Sequence, residues 1–482
     1  MQFNSYLCIL AVIPAFVICY HLLSKKKLFY RKPVIIAFGV LFYLYVGWEP
    51  AAILGISLLI NWFFSFGLSK INRFRKTLLA FSVVVNAGIL FFFKYFNFTL
   101  TILNDLLGQN SNTINLIIPL GISFFTFQQI MYVVSVYRGD IPQVHLWDYL
   151  SYTLFFPKLI MGPLMEPKDF IDQLNNAEQA KPDWGNIASG MKLFGFGLFK
   201  KMVLADTFAK GVSWGFSHFA SATSGDLFLI MLFYSFEIFF DFSGYSDMAT
   251  GISKMVNITL PINFDSPYKA GSIIEFWKRW HMSLTAFFRK YVYFPLGGSR
   301  KGNVRTYGNN LLVFILSGLW HGANWTFILW GAIHGVLSIA ERILGKRLKN
   351  RQGPLRYLYT FITVSLLWLL FRSESVAQWG EMLGKMFSFQ NMAISSDLMK
   401  TFILPETAFF VDSFDRLGLN SLVNGFPMLI MVIGALLICL IPESSYRNMH
   451  RLNAANMLLC VIAFVWAFLC LGSESVFIYT DF

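Results

Sequence analysis

Three histidines, His281, His321 and His334, fall within 54 residues of one another. The other four, His21, His145, His218 and His450, lie in or near expected loops or span ends, where a solvated side chain is the ordinary reading. An imidazole can take a proton from a hydroxyl or carry an acyl group, so group transfer is the chemistry to weigh. His321 stands in Gly318-Leu319-Trp320-His321-Gly322-Ala323, between two apolar arms. An ionisable residue at membrane depth is costly and is a functional candidate by default. Burial also keeps an imidazole neutral and able to accept a proton. The competing reading is a core histidine bonded to a backbone carbonyl, and the functional reading is the stronger. His281 lies at the edge of an apolar stripe formed by residues 276, 280, 284, 287 and 291, with Lys278, Arg279 and Arg289 off it. That spacing predicts one amphipathic helix lying against a bundle, in which His281 is as compatible with an interfacial role as with a catalytic one. His334 is about 220° around a helix from His321 and reads as packing.

Other groups carry weaker signals. Asp241 and Asp247, in Phe240-Asp241-Phe242-Ser243-Gly244-Tyr245-Ser246-Asp247, could orient a histidine or hold a helix end, the structural role being the stronger. Pro295-Leu296-Gly297-Gly298-Ser299-Arg300-Lys301 is a glycine-rich basic loop without the Walker pattern. With Arg279, its Arg300 and Lys301 are candidates for holding donor phosphates. No Gly-x-Ser-x-Gly elbow has a usable acid and histidine, and no Cys-His arrangement is persuasive. The five cysteines (Cys8, Cys19, Cys439, Cys460 and Cys470) sit in apolar runs without metal-ligand spacing, so they read as packing residues; neither a disulfide nor a metal site is expected.

The elements that must position these residues are membrane helices. Of 482 residues, 56% are hydrophobic and 13% charged, and 53 are phenylalanine. Mean hydropathy is +0.56. Continuous apolar runs recur along the whole chain, which excludes a large soluble domain and does not fit the alternation of a β-barrel. The net charge of +13 comes from basic residues between the runs, the pattern of cytoplasmic loops rather than of nucleic-acid binding.

Residues 5–23 read as a retained first span, because Met1-Gln2-Phe3-Asn4-Ser5 lacks the basic region of a cleaved leader. Spans at roughly 34–48, 51–69, 77–96 and 114–136 follow. Basic clusters at Lys25–Lys32 and Lys70–Lys76 then lie inside and the N-terminus outside. Pro157 and Pro163 predict a broken or re-entrant element over 147–165. Runs at 187–205 and 226–250 lead to a basic, amphipathic cytoplasmic segment, 252–306. From there the chain must leave and return, since basic residues flank both ends of the next stretch. Its first arm, Tyr307 to Trp320, has 14 residues and would span only about 21 Å, leaving His321 deep in the membrane. Further runs at 357–371, 427–441 and 454–472 surround an external segment, 372–426, and end with an external C-terminus. The expectation is one integrated all-α membrane domain over 1–482, with about eleven or twelve spanning or re-entrant elements. No internal repeat is visible, which disfavours an inverted-repeat transporter.

At these residues the chain resembles the membrane-bound O-acyltransferase family, in the branch containing the membrane subunit of alginate O-acetylation. The resemblance runs, in order, through Pro119–Gln128, Phe156–Pro163, Phe240–Met248, Phe276–Arg300, Gly318–Ala323, Phe371-Arg372 and Val476-Phe477-Ile478-Tyr479. It departs at Ser135, where family members usually carry Asp. The resemblance implies a ring of helices around a central tunnel, a catalytic His321, and His281 as its partner toward the cytoplasm. It implies acetyl-CoA as a donor entering from the cytoplasm, with no bound cofactor. It also implies an inner-membrane enzyme that hands its acyl group to a separate extracytoplasmic acetyltransferase acting on a polysaccharide. His321 would act as general base or as transient acyl carrier. The rivals are a transporter or flippase of a lipid-linked sugar, and an acyltransferase using a carrier-protein thioester or a lipid acceptor.

Overall fold

A computed structural model describes the chain except residues 1, 26, 110, 143, 349–352, 406, 407, 409–424, 473–476 and 479–482. The expected C-terminus, Val476, Tyr479 and most of the second half of the 372–426 segment therefore lie outside the described residues. All regular structure among the described residues is helical.

The long elements, in order, are α1 (Cys8–Ser24), α2 (Arg31–Leu44), α3 (Trp48–Lys70), α4 (Arg75–Leu107), α5 (Ile122–Arg138), α6 (Leu146–Thr153), α7 (Pro167–Asn175), α8 (Trp184–Phe199) and α9 (Asp206–Ser217). They continue with α10 (Ser224–Met255), α11 (Ile273–Arg279), α12 (Met282–Phe288), α13 (Asn303–His321), α14 (Trp325–Leu348), α15 (Pro354–Arg372), α16 (Val376–Met386), α17 (Phe426–Leu440) and α18 (Ala454–Leu469). Among the described residues, six helices are long and apolar enough to cross a membrane: α3, α4, α10, α14, α15 and α18; α1 and α17 are shorter apolar helices. The sequence count of eleven or twelve included such shorter and broken elements.

Helix α10 is the central post. Its N-terminus carries a reciprocal capping box between Thr223 and Asp226, and every residue from Phe233 to Met255 is buried. Helix α8 lies along it at glycine contacts, where helices pack closely enough for a side chain on one to meet backbone on the other. A Cβ placed on Gly251 would lie 2.6 Å from the Gly190 carbonyl oxygen, and one on Gly197 would lie 2.7 Å from that of Gly244. After α8 a π-helical stretch, Lys200–Ala205, turns two consecutive lysines toward α10: Lys200 pairs with Asp247 and Lys201 with Asp241, each at 2.6 Å. The two acids thus hold helices together and do not orient a histidine.

Several expectations change. The segment around Pro157 and Pro163 is broken, as expected, into α6, a single turn (Phe156–Leu159) and a buried irregular stretch. The external stretch expected at 97–113 is helical as far as Leu107. The continuous amphipathic helix around His281 does not form: α11 ends at Arg279 and α12 starts at Met282. Between them Trp280 is extended and His281 has φ 43°, the left-handed region that stops a helix. The arm leading to His321 has 19 residues rather than 14, so it is about 28 Å long, close to a bilayer core. Length therefore does not strand His321 at mid-depth; packing is what removes it from water.

The close contacts between α8 and α10 give a direct test. Gly197→Ala and Gly251→Ala should each destabilise the protein by about 1–3 kcal/mol through forced separation of the helices. Gly434→Ala in α17, where the added carbon meets nothing within 4 Å, is the control and should be neutral. Thermal unfolding in one detergent checks this; equal melting temperatures for all three would mean that the α8–α10 crossing is loose.

Candidate active site

The site is built on the tip of a hairpin. Helices α13 and α14 run antiparallel in close contact, as the backbone approaches show: a Cβ on Gly318 would lie 2.2 Å from the Phe327 carbonyl oxygen, and one on Gly331 would lie 2.3 Å from that of Phe314. His321 is the last residue of α13, and after it Gly322 is extended. A Cβ on Gly322 would enter the Phe327 ring, so glycine is required there by space. The His321 ring is 4% exposed. It packs edge-on against Trp320, Trp330 and Phe371, with centroids at 4.8, 5.4 and 5.2 Å. The carbonyls of Trp320 and His321 accept hydrogen bonds from Lys94 Nζ on α4.

His281 approaches from the α11–α12 turn and is 1% exposed. Its ring lies against Phe242 of α10 at 4.6 Å and Phe124 of α5 at 6.5 Å, and reaches Trp320 at 6.0 Å. Both catalytic candidates therefore touch the same indole, and the two centroid separations bound their own at about 11 Å. Asn263 holds the turn. Its backbone carbonyl accepts from Met282 N at 3.0 Å. Its side-chain Oδ1 accepts from Ser283 N at 3.2 Å and Ser283 Oγ at 2.7 Å, and lies 3.4 Å from His281 Nδ1. A backbone N–H can only donate, so the atom facing Ser283 is the amide oxygen. The bond to His281 then requires the proton on Nδ1, which leaves the lone pair on Nε2. That Nε2 is buried and has no hydrogen-bond partner among the described residues, and the same is true of the indole nitrogens of Trp320 and Trp330. Buried polar atoms are normally satisfied. These atoms are hydrogen-bonding capacity left over near the two imidazoles.

His334 is elsewhere employed, as its sequence position implied: its Nδ1 accepts from Trp277 Nε1 at 3.2 Å, tying α14 to α11. His21, expected at a solvated span end, is buried and bonds the Met255 carbonyl at 2.8 Å. Of the candidate phosphate ligands, Arg279 lies two residues from His281 with its side chain engaged elsewhere, and Arg300 and Lys301 lie far from both histidines. Arg279 is occupied by Glu275 at 2.8 and 3.0 Å and by the Asp265 carbonyl at 3.2 Å. Arg300 and Lys301 are exposed at the opposite end of α13, about 28 Å of helix from His321. Among the described residues no group of three His, Cys, Asp or Glu side chains could hold a metal ion. A cavity of about 840 Å³ opens between α8, α17 and α18, with Lys192, Lys200 and Arg451 among apolar walls. Neither histidine lines it. Sequence reading missed Asn263, which no periodicity marks, and Lys94, whose charge inside Phe91-Phe92-Phe93-Lys94-Tyr95-Phe96 was the available signal.

Comparison with known proteins covers the stretch that carries both histidines. The family model described as MBOAT, membrane-bound O-acyltransferase family, matches residues 137–371, which include both histidines. The peptidoglycan O-acetyltransferase of Helicobacter pylori is 32% identical over all of this chain and 98% of its own length. The probable alginate O-acetylase AlgI of Pseudomonas aeruginosa is 36% identical over 82% of this chain and 76% of its own. The teichoic acid D-alanyltransferase of Streptococcus thermophilus is 31% identical over 47% of this chain and 58% of its own.

If Asn263 sets the His281 tautomer, Asn263→Leu should lower acyl transfer about tenfold or more, the scale of a lost acid–base contribution. Asn263→Asp keeps the acceptor and should retain clearly more. Rates with radiolabelled acetyl-CoA at matched folding decide it; equal activity in the two variants would remove Asn263 from the site.

Proposed function

The chain belongs to the membrane-bound O-acyltransferase family, and from that premise we propose that it moves an acetyl group from a cytoplasmic thioester across the membrane for O-acetylation of an extracytoplasmic polysaccharide. It is a membrane O-acyltransferase. The observation that carries the finer reading is the pair of buried imidazoles, His281 and His321, both packed against the Trp320 indole. In the reaction proposed, His321 takes the proton of an acceptor hydroxyl as its oxygen attacks the thioester carbonyl. The carbon–sulfur bond then breaks and the thiolate leaves, protonated from the imidazolium. His281, with its lone pair on Nε2, is the partner base toward the cytoplasm. Acetyl-CoA is the donor that fits best, because its nucleotide phosphates are remote from its thioester. Arg300 and Lys301 would hold those phosphates at one end of α13 while the acyl group reaches the other. Arg279 could join them only by leaving Glu275.

The two proteins named as O-acetylating a polysaccharide match along most of this chain, whereas the D-alanyltransferase matches along less than half. That favours an acetyl donor and a glycan acceptor over a carrier-protein thioester. A lipid-linked sugar transporter is set aside by family membership. The reading includes an inner-membrane location with both termini outside, and a separate extracytoplasmic acetyltransferase that receives the acetyl group.

The test uses native membranes with radiolabelled acetyl-CoA, comparing wild type, His321→Ala and His281→Ala at matched folding. Loss of label transfer by about a hundredfold or more in His321→Ala, the scale of general base catalysis, is the expected result. Undiminished transfer in that variant would make His321 structural and end this mechanism. Absence of transfer in wild type alongside its partners would move the donor to a carrier-protein thioester.

A further inference from the structure

Helix α4 runs 33 residues, about 50 Å, and is interrupted once by a π-helical stretch, Phe91–Tyr95. π-Bulges are often found at functional sites, because the extra residue re-aims the side chains around it. Here the residues re-aimed are Lys94 and Tyr95. The end of α13 needs them. The last carbonyls of a helix have no partner within it, and the common remedy, a left-handed residue that folds the chain back over them, is absent because Gly322 is extended. Tyr95 Oη donates to the Leu319 carbonyl at 2.9 Å. Lys94 Nζ donates to the carbonyls of Trp320 at 2.7 Å and His321 at 2.9 Å. Three consecutive carbonyls, ending at His321 itself, are thus closed by two adjacent residues of another helix. No carboxylate pairs with Lys94 among the described residues, and the carbonyls of the helix end are the partners of its amine. One turn further along α4, Phe98 packs against Trp325 at 5.8 Å, the first residue of α14. Helix α4 therefore grips both arms of the hairpin on either side of its tip.

We infer that Lys94 and Tyr95 are positioning residues that fix the backbone of the Trp320–His321 turn and, through it, the His321 ring. This rests on the catalytic role proposed for His321. An ionisable side chain within a membrane helix is costly, and a merely structural cap of a helix end could be made by water or by a glycine turn. The lysine keeps the turn rigid where no water is needed and leaves the ring no play. Misplacing a reacting group by about 1 Å can cost a hundredfold in rate.

The experiment uses the full chain in membranes with acetyl-CoA as donor, and the variants Lys94→Met, Lys94→Arg and Tyr95→Phe. Lys94→Met should lower kcat about tenfold or more with little change in KM for acetyl-CoA. Lys94→Arg should restore part of the rate, and Tyr95→Phe should give a smaller loss. Independently of turnover, solid-state NMR of protein labelled with ¹⁵N-histidine should show the His321 resonance, identified by its loss in His321→Ala, shifted or split in Lys94→Met. Wild-type kcat together with an unmoved His321 resonance would overturn the inference. If His321→Ala retains activity, the catalytic reading fails, while the resonance still reports whether the clamp holds the ring. Should Lys94→Met not fold, Tyr95→Phe, which keeps the ring and removes one bond, gives the same readings.

Discussion

Helix ends are the hardest parts of a membrane bundle to bury, because their carbonyls lose water and have no partner in their own helix. Helix α13 ends in such a place, and it ends on His321. The arrangement around it follows from that. Gly318, Gly331 and Gly322 let α14 and Phe327 come close enough to exclude solvent from the turn. Lys94 and Tyr95 then satisfy the carbonyls that exclusion leaves bare. The imidazole departs from a backbone held on every side.

The second feature is aromatic. His281, His321 and His334 come from three segments; His281 packs against Trp320, His334 against Trp330, and His321 against both. Indoles suit this role because each offers a broad apolar face and one N–H donor. The faces keep the imidazoles apart and dry, while the donors of Trp320 and Trp330 remain for a polar group that enters. His334 has the same surroundings but spends its Nδ1 on Trp277, so surroundings alone do not distinguish a reacting histidine from a packing one.

Much of this was legible from residue types. Basic residues at both ends of the 303–348 stretch required a hairpin, and its tip had to hold Trp320-His321-Gly322. Pro157 and Pro163 marked the broken segment. What could not be read were features that depend on one residue's backbone or on partners distant in sequence. The stripe from 276 to 291 fits a single helix, and nothing in it signals that His281 turns left-handed. Basic residues counted toward inside loops include Arg31, which is fully buried and donates to the carbonyls of Leu174, Asn176 and Gln179. Charge counting treats every cation as solvated, and so it misses those consumed by carbonyls. Lys94 is the same kind of residue, lying inside an apolar run rather than beside one.

The left-handed turn at His281 adds a constraint of its own. A non-glycine residue at φ 43° costs of order 1–3 kcal/mol and persists only where its surroundings fix it. Asn263 supplies this on the C-terminal side of the turn, through its backbone to Met282 and through its amide oxygen to Ser283. The same Asn263 amide whose bonds to Ser283 hold the turn also meets the His281 ring and so sets its tautomer. His321 is held through its carbonyl by the Lys94 amine and His281 through its ring by an amide. In both cases the group that fixes the histidine leaves a different part of it to react.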